Sequence, residues 1–174
     1  YLDLLDISKE MLARAMRAVG VNEHVRTFES DVLTFEPEGT YELFFSSRVL
    51  EYVDDKERFC KKVFSVLEPG GRGFLITKMP HYEREKIAGR KLSELHKGQI
   101  TPLRLRALLK STGFIDVDCY PVTVSVPLLH SPQLNLLLGR LIAPFRAGII
   151  AGFFAESYCV RFRKPQKVDP SGTP

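Results

Sequence analysis

Three short apolar segments, each followed by polar residues, constrain the fold of this chain more than any other feature. Residues 1–5 run into Asp6, and residues 24–28 are followed closely by Asp31. A third apolar run at 41–45 leads into a helical pattern and the turn sequence LEPGG. Buried parallel strands read as short apolar runs, and open α/β sheets bind ligands at the carboxyl ends of their strands. The pattern therefore predicts an α/β fold with two carboxylates at a ligand-binding edge.

Asp6 and Asp31 suit an adenosine ligand. A carboxylate at the end of one strand can accept two hydrogen bonds from a ribose diol, and an acid one strand along can accept from an adenine amine. Both acids have a structural alternative, because an acid next to a helix N-terminus is stabilised by the helix dipole and an acid in a turn can bond its own backbone. Since Ser8 already occupies the helix cap, we favour ribose binding for Asp6.

The remaining elements alternate between strands and helices, which is typical of a parallel sheet covered on both faces. Helices are predicted at 8–20, 55–69, 83–95 and 101–113. Strands are predicted at 1–5, 24–28, 41–45, 73–77, 114–126 and 157–163, the last two as an antiparallel pair at one sheet edge.

The order of these motifs resembles the class I S-adenosylmethionine-dependent methyltransferases, in the branch that acts on small molecules and lipids. The resemblance rests on LDIS at 5–8, the acid Asp31, SSRVLEYV at 46–53 and the turn LEPGG at 67–71. It covers residues 1–80 and resumes more weakly at 113–114 and 156–165. It implies an α/β Rossmann-like fold, a doubly wound, mostly parallel sheet with an antiparallel last strand in a three-layer αβα sandwich.

The resemblance also implies a cofactor, S-adenosylmethionine, with S-adenosylhomocysteine as its product. In such a site the acids would bind the ribose and the adenine, an apolar side chain would pack on the ring, and residues after the third run would lie near the methionine moiety. The implied cofactor-binding residues are Asp6, Ile7, Asp31, Val32, Ser47 and Arg48. Arg48 has an alternative partner in Glu51, with which it can form a surface ion pair.

His81 and Tyr82 are candidate catalytic residues, because they follow the strand predicted at 73–77. A neutral histidine can remove a proton from a hydroxyl nucleophile, although a loop histidine is more often merely exposed to solvent. The sequence has no metal-ligand spacing. Its three scattered cysteines argue against a disulfide framework and fit a reducing, cytoplasmic compartment.

The family's first strand and its Gly-x-Gly-x-Gly turn do not precede Tyr1. In the family this strand lies between the second and fourth strands, and its loss would leave unpaired backbone groups on both neighbours. We therefore expect residues 1–167 to form a single, N-terminally incomplete methyltransferase-like domain, followed by a disordered tail at 168–174. A relative that truly lacks the strand and does not bind the cofactor is the alternative.

An insertion at 127–155 is far more apolar than a connecting loop should be. Its run at 134–154 approaches the ~20 residues of a membrane span, but Arg140, Pro144 and Arg146 interrupt it. We expect two short amphipathic helices there. They could cover a substrate pocket, complete the core, or make a peripheral membrane contact.

The function that these features favour is enzymatic transfer of a methyl group to a small, hydrophobic or lipid-like acceptor. The alternatives are a non-catalytic methyltransferase-like binding module and a nicotinamide-dependent oxidoreductase, whose second strand also ends in a ribose-binding acid. The net charge of +4 is spread along the chain, so it indicates solvated surface rather than nucleic-acid binding. The sequence leaves the oligomeric state open.

Overall fold

The computed structural model describes residues 1–20, 22–80, 98–124, 133, 136, 137, 140, 141 and 155–167. The chain divides into two compact units, Tyr1–Gly39 and Thr40–Pro174. We call them unit 1 and unit 2.

Unit 1 is a βαβ unit. Strands β1 (Leu2–Asp6) and β2 (Val25–Glu29) pair in parallel, and helix α1 (Lys9–Val19) connects them. The predicted caps are confirmed: the Ser8 hydroxyl accepts the N–H of Met11 at 3.3 Å, and Gly20 ends the helix with a φ of 85°. Local sequence therefore defines this unit closely.

The prediction that residues 1–5 form a buried strand is wrong. Tyr1 is 97% exposed and Leu2 is 44% exposed, while the rest of β1 is half-buried. Among the described residues of unit 1, Leu12 alone is buried. The physical reason is that, in the described part of this unit, α1 is the one helix and packs on a sheet of only two strands.

Unit 2 contains a four-stranded sheet in the order β3-β4-β6-β5. Its strands are β3 (Tyr41–Ser47), β4 (Leu67–Lys78), β5 (Ile115–Val124) and β6 (Ala155–Arg163). Strand β3 runs parallel to β4, whereas β6 is antiparallel to both β4 and β5. The predicted antiparallel last strand is confirmed.

Helices α2 (Lys56–Val66) and α3 (Pro102–Thr112) contact each other, and they pack on β4 and β6. Asp55 caps α2 and Thr101 caps α3, each through a side-chain oxygen that accepts a backbone N–H. Gly113 ends α3 in the left-handed conformation at φ 111°, as the sequence predicts.

The predicted end of α2 at Pro69-Gly70 is wrong. The helix ends at Val66, and Leu67 already pairs with Tyr41 as the first residue of β4. Lys164 explains the early end, because its Nζ donates to the carbonyls of Phe64 and Leu67 at 2.7 Å each. This lysine satisfies carbonyl groups that the end of a helix leaves without partners.

The core of unit 2 lies between the two helices and the sheet. Its fully buried side chains include Phe59, Val63, Leu67, Leu75, Leu105, Leu109, Tyr158, Val160 and Phe162. Gly73 is required for this packing, since a Cβ at this position would lie 2.1 Å from the ring of Phe162 on the neighbouring strand.

Several predicted features lie outside the described residues. They are His81, Tyr82, the helix at 83–95, the tail at 168–174 and most of the insertion. Within the insertion, the described residues at 133–141 are helical, and Leu136, Leu137 and Leu141 are exposed. Across the described part of the chain, no helix has the length and apolar character to cross a membrane.

Candidate functional site

Asp6 stands at the carboxyl end of β1, as predicted. Its Oδ1 accepts the N–H of Ser8 at 2.8 Å, and its carbonyl accepts the N–H of Ser30 at 3.2 Å. The carboxylate is therefore oriented by the first residues of the turn that leads into α1. Among the described residues no donor reaches Oδ2, so one oxygen serves the turn and the other can face a ligand.

Asp31 follows β2 in a turn of its own. Its Oδ1 accepts the N–H of Leu33 at 2.7 Å, while its carbonyl accepts the N–H groups of Thr34 and Phe35 at 3.1 and 2.9 Å. The residue is exposed. Asp31 therefore bonds the backbone of its own turn, which is the structural alternative that the sequence allowed. These bonds hold its carboxylate at the same sheet edge as Asp6.

Two apolar residues flank these acids. Ile7 is 75% exposed directly after Asp6, and Val32 is half-buried directly after Asp31. An apolar side chain left in solvent next to a half-buried carboxylate suits a flat, partly apolar ligand such as a nucleoside.

The corresponding edge of unit 2 is formed by Ser47, the last residue of β3, and Arg48. Arg48 has a φ of 64°, a left-handed conformation that is uncommon for residues with a side chain. Its N–H donates to the carbonyl of Ile76 on β4 at 2.8 Å. The chain therefore turns sharply while it is still bonded to the neighbouring strand.

Arg48 pairs with Glu51, which lies in a short 3-10 helix at Leu50–Tyr52. The distance between Arg48 Nε and Glu51 Oε1 is 2.7 Å. The Arg48 side chain is 46% exposed, whereas that of Glu51 is only 3% exposed. The ion pair that the sequence allowed is confirmed, but its acid is buried rather than on the surface.

Glu51 also bonds the end of β4. Its Oε1 accepts the N–H of Lys78 at 2.9 Å, and the Thr77 hydroxyl lies 3.5 Å away. Sequence reasoning did not single out Glu51 as a site residue. The sequence did indicate that Glu51 could be a buried polar residue, because it is an acid within the otherwise apolar run VLEYV.

Further polar groups lie where β4 and β6 pair, next to Thr77. The hydroxyl of Tyr158 donates to the carbonyl of Ile100, and Thr123 bonds Ser157 across β5 and β6. Burial raises the pKa of Tyr158 far above its usual range, so this phenol stays protonated. It acts here as a neutral donor that ties the segment before α3 to the sheet.

A cleft of about 340 Å³ lies at the opposite end of β3 and β4 from Arg48. It is lined by Glu42, Leu43, Glu68, Gly70, Gly71 and Arg72. None of the predicted site residues is among them. In the described part of the chain, no three His, Cys, Asp or Glu residues are grouped as metal ligands would be.

Comparison with known proteins identifies the part of the chain that carries these edges. Residues 2–75 match a family model described as a methyltransferase domain. This segment, which is less than half of the chain, is therefore similar to a methyltransferase domain. The matched segment contains every predicted cofactor-binding residue and Glu51 as well.

The curated relatives that the chain resembles are also methyltransferases. Malonyl-[acyl-carrier protein] O-methyltransferase 1 of Ilyobacter polytropus is 34% identical over 71 residues, which cover 41% of this chain and 26% of that protein. A second such O-methyltransferase from the same organism is 29% identical over 70 residues. Each of these matches spans only about a quarter of the relative's own length.

Solved structures share the fold. The phosphoethanolamine N-methyltransferase 2 of Haemonchus contortus, in complex with S-adenosyl-L-methionine, gives a TM-score of 0.64 at 17% identity, covering 94% of this chain and 43% of that one. The N-methyltransferase NodS of Bradyrhizobium japonicum, in complex with S-adenosyl-L-homocysteine, gives 0.59 at 15% identity, covering 95% and 67%. The predicted Rossmann-like α/β fold is confirmed.

Proposed function

We propose that the protein containing this chain transfers a methyl group from S-adenosylmethionine to a small, hydrophobic or lipid-like acceptor. One observation carries the proposal. Asp6 and Asp31 are fixed at the carboxyl ends of two adjacent parallel strands, inside the segment that matches a methyltransferase domain. Ligands of open α/β sheets bind at this edge.

The adenosine part of the cofactor is assigned to unit 1. Asp6 would accept the ribose hydroxyls with Oδ2, since Oδ1 is held by Ser8. Asp31 would accept the adenine amine, and the exposed Ile7 would cover one face of the ring. Val32 would contribute its backbone to the adenine edge. These donor and acceptor types fit the groups that an adenosine presents.

By the family resemblance, Ser47 and Arg48 are the residues assigned to the methionine end of the cofactor. Because Glu51 engages Nε, the terminal nitrogens of the Arg48 guanidinium remain for a carboxylate. Arginine suits this task, since its planar fork matches the two oxygens of a carboxylate.

The cofactor, when bound, supplies a methyl group already activated on a sulfonium. The chain's residues then have to orient the acceptor and exclude water, and orientation alone can supply roughly 7–11 kcal/mol of the barrier. His81 and Tyr82 stay candidates for removing a proton from the acceptor.

For the acceptor, the relatives suggest where to begin. The curated ones are named for malonyl groups on acyl-carrier protein, and a structural one for phosphoethanolamine. We place an acyl group on a carrier, or a lipid-like molecule, first among acceptors, in the cytoplasm or at a membrane surface. The apolar run at 134–154 would form a wall of the acceptor pocket.

Calorimetry with S-adenosylhomocysteine tests the cofactor site. Asp6→Ala should weaken binding about tenfold to a hundredfold, because it removes a charged acceptor from buried hydroxyls. Glu10→Gln is the matched control, since Glu10 is an exposed acid of the same unit that only pairs with Arg14. Its affinity should equal that of the unaltered protein, and equal affinity for Asp6→Ala would refute the assignment.

Methyl transfer itself needs a separate assay. The full-length protein should move a labelled methyl group from S-adenosylmethionine to malonyl-acyl-carrier protein or to a lipid-like acceptor. Cofactor binding without transfer to any acceptor would favour a non-catalytic binding module. Binding of a nicotinamide dinucleotide in place of S-adenosylhomocysteine would favour an oxidoreductase.

A further inference from the structure

We propose that Glu51 is a positioning residue that sets the direction of the Arg48 guanidinium at the carboxyl ends of β3 and β4. The inference rests on the proposed function, in which Arg48 binds the carboxylate at the methionine end of the cofactor. The new element is Glu51, which we infer orients the Arg48 side chain toward that carboxylate.

The contrast in exposure is the first observation. The Glu51 side chain is 3% exposed, while Arg48, its partner at 2.7 Å, is 46% exposed. A buried carboxylate is costly unless it is paired and hydrogen-bonded, so it holds its partners firmly. The negatively charged member of the pair is therefore held inside the protein, while the positively charged guanidinium is partly exposed to solvent.

The second observation is that one oxygen of Glu51 connects both strands. Oε1 accepts from Nε of Arg48, directly after β3, and from the N–H of Lys78, the last residue of β4. Glu51 therefore fixes the position of the arginine side chain relative to the carboxyl end of β4. Because the acid lies on the Nε side of the guanidinium, the N–H donors at its outer end can still meet a second carboxylate.

The third observation concerns the backbone. Arg48 adopts a φ of 64°, and such conformations persist in non-glycine residues only where the surroundings hold them. Its N–H bond to Ile76 fixes one side of this turn, and the ion pair with Glu51 fixes the other. Because the backbone and the side chain of Arg48 are both bonded to other parts of the fold, this long side chain has one preferred direction.

Glu51 itself has little freedom to move. Its neighbours Leu50 and Val53 are 1% and 9% exposed. Gly98 packs directly on its carbonyl, because a Cβ at Gly98 would lie 1.7 Å from that oxygen. The acid is therefore part of the rigid interior of unit 2, which is what aiming a more exposed partner requires.

A pair of ligands separates positioning from a general structural role. S-adenosylhomocysteine carries the amino-acid carboxylate, whereas 5′-methylthioadenosine lacks it and keeps the adenosine. Glu51→Gln preserves the shape of the side chain and removes its charge. We expect this variant to bind S-adenosylhomocysteine about tenfold more weakly and methylthioadenosine within about twofold of the unaltered protein. Glu57→Gln, which removes an exposed acid from α2, should change neither affinity.

A double-mutant cycle completes the test. In an Arg48→Ala background, Glu51→Gln should cause no further loss of S-adenosylhomocysteine affinity, because the acid acts through the arginine. Additive losses, or equal losses for both ligands, would overturn the proposal. If Glu51→Gln does not fold, Glu51→Asp serves instead, since it keeps the charge but shortens the reach of the acid to the guanidinium. It should show the same ligand-selective loss, and unchanged affinity for both ligands would overturn the proposal.

These experiments separate failure of the Glu51 proposal from failure of the proposed cofactor site. If the unaltered protein binds neither adenosine ligand, the cofactor assignment itself fails. If it binds both and Asp6→Ala weakens both, while Glu51→Gln weakens neither, only the role of Glu51 fails.

Discussion

Asp6 in unit 1 and Glu51 in unit 2 are both carboxylates near the carboxyl end of a parallel strand, yet they are held in different ways. Asp6 bonds the N–H of Ser8, two residues along the chain. Glu51 bonds the N–H of Lys78, 27 residues away, and its side chain is almost fully buried. One acid is oriented by its own turn, and the other by the tertiary fold.

The two units also differ in what stabilises them: contacts near the surface in unit 1 and buried apolar packing in unit 2. In unit 1, Asp3 and Arg26 form a two-bonded pair across β1 and β2, with both bonds at 2.8 Å and the arginine half-exposed. In unit 2, the rings of Phe64, Phe114 and Phe162 are packed in sequence beneath the sheet, with centroids 4.5 to 5.0 Å apart. Unit 1 depends on caps and ion pairs near the surface, and unit 2 depends on apolar burial.

The largest expected effect concerns the buried thiols of unit 2. Burial raises the pKa of Cys60 from 9.0 to about 12 and that of Cys119 to about 11. At pH 8, alkylation of Cys60 should be about a thousandfold slower in the folded protein than in urea, as a shift of about three pKa units implies. An exposed reporter in unit 1, Ala18→Cys, should react at the unfolded rate, and equal protection there would remove the contrast between the units.

The same thiols give a pH dependence. Folding raises their pKa, so the folded state holds these protons more tightly than the unfolded state does. Their stabilising contribution is complete below about pH 9 and is lost as the pH rises through 11 to 12. Denaturation in urea at pH 8, 9.5 and 11 should show this loss. A Cys60→Ala, Cys119→Ala variant should show a smaller one.

The next effect contrasts two glycines. Gly98→Ala should destabilise unit 2 by about 3 kcal/mol, because the added Cβ would overlap the Glu51 carbonyl, a backbone atom that cannot rotate away. Gly39→Ala, in unit 1, should change stability by less than about 1 kcal/mol, since its Cβ would meet no atom within 4 Å. Thermal unfolding of both variants measures the difference. Similar losses at the two positions would show that unit 2 is no more tightly packed than unit 1.

The smallest effect should be equal in the two units. Ser8 and Thr101 cap α1 and α3 with the same geometry, each accepting a backbone N–H at 3.3 Å. Ser8→Ala and Thr101→Ala should each cost about 1 kcal/mol, because a cap depends on neighbouring residues rather than on the core. Urea denaturation followed by circular dichroism can measure both. A loss at Thr101 several times larger than at Ser8 would show that tertiary packing reaches the caps too.

Much of the fold could be predicted because its determinants are local. The caps at Ser8 and Thr101, the helix start near Asp55, and the helix ends at Gly20 and Gly113 are confirmed where the sequence predicts them. Placing Asp6 at the end of its strand needed only an apolar run followed by an acid. The end of α2 was missed because Lys164, 100 residues from Phe64, satisfies that helix's last carbonyls.

The sequence by itself determined the alternation of strands and helices, the sheet edge that carries Asp6 and Asp31, and the methyltransferase resemblance. These follow from periodicity, caps and turns, which act over a few residues. The tertiary structure decided which strands are buried, that Glu51 rather than solvent holds Arg48, and that Gly98 and Gly73 face atoms that leave no room for a side chain. Such features depend on contacts between distant parts of the chain, and no local pattern encodes those.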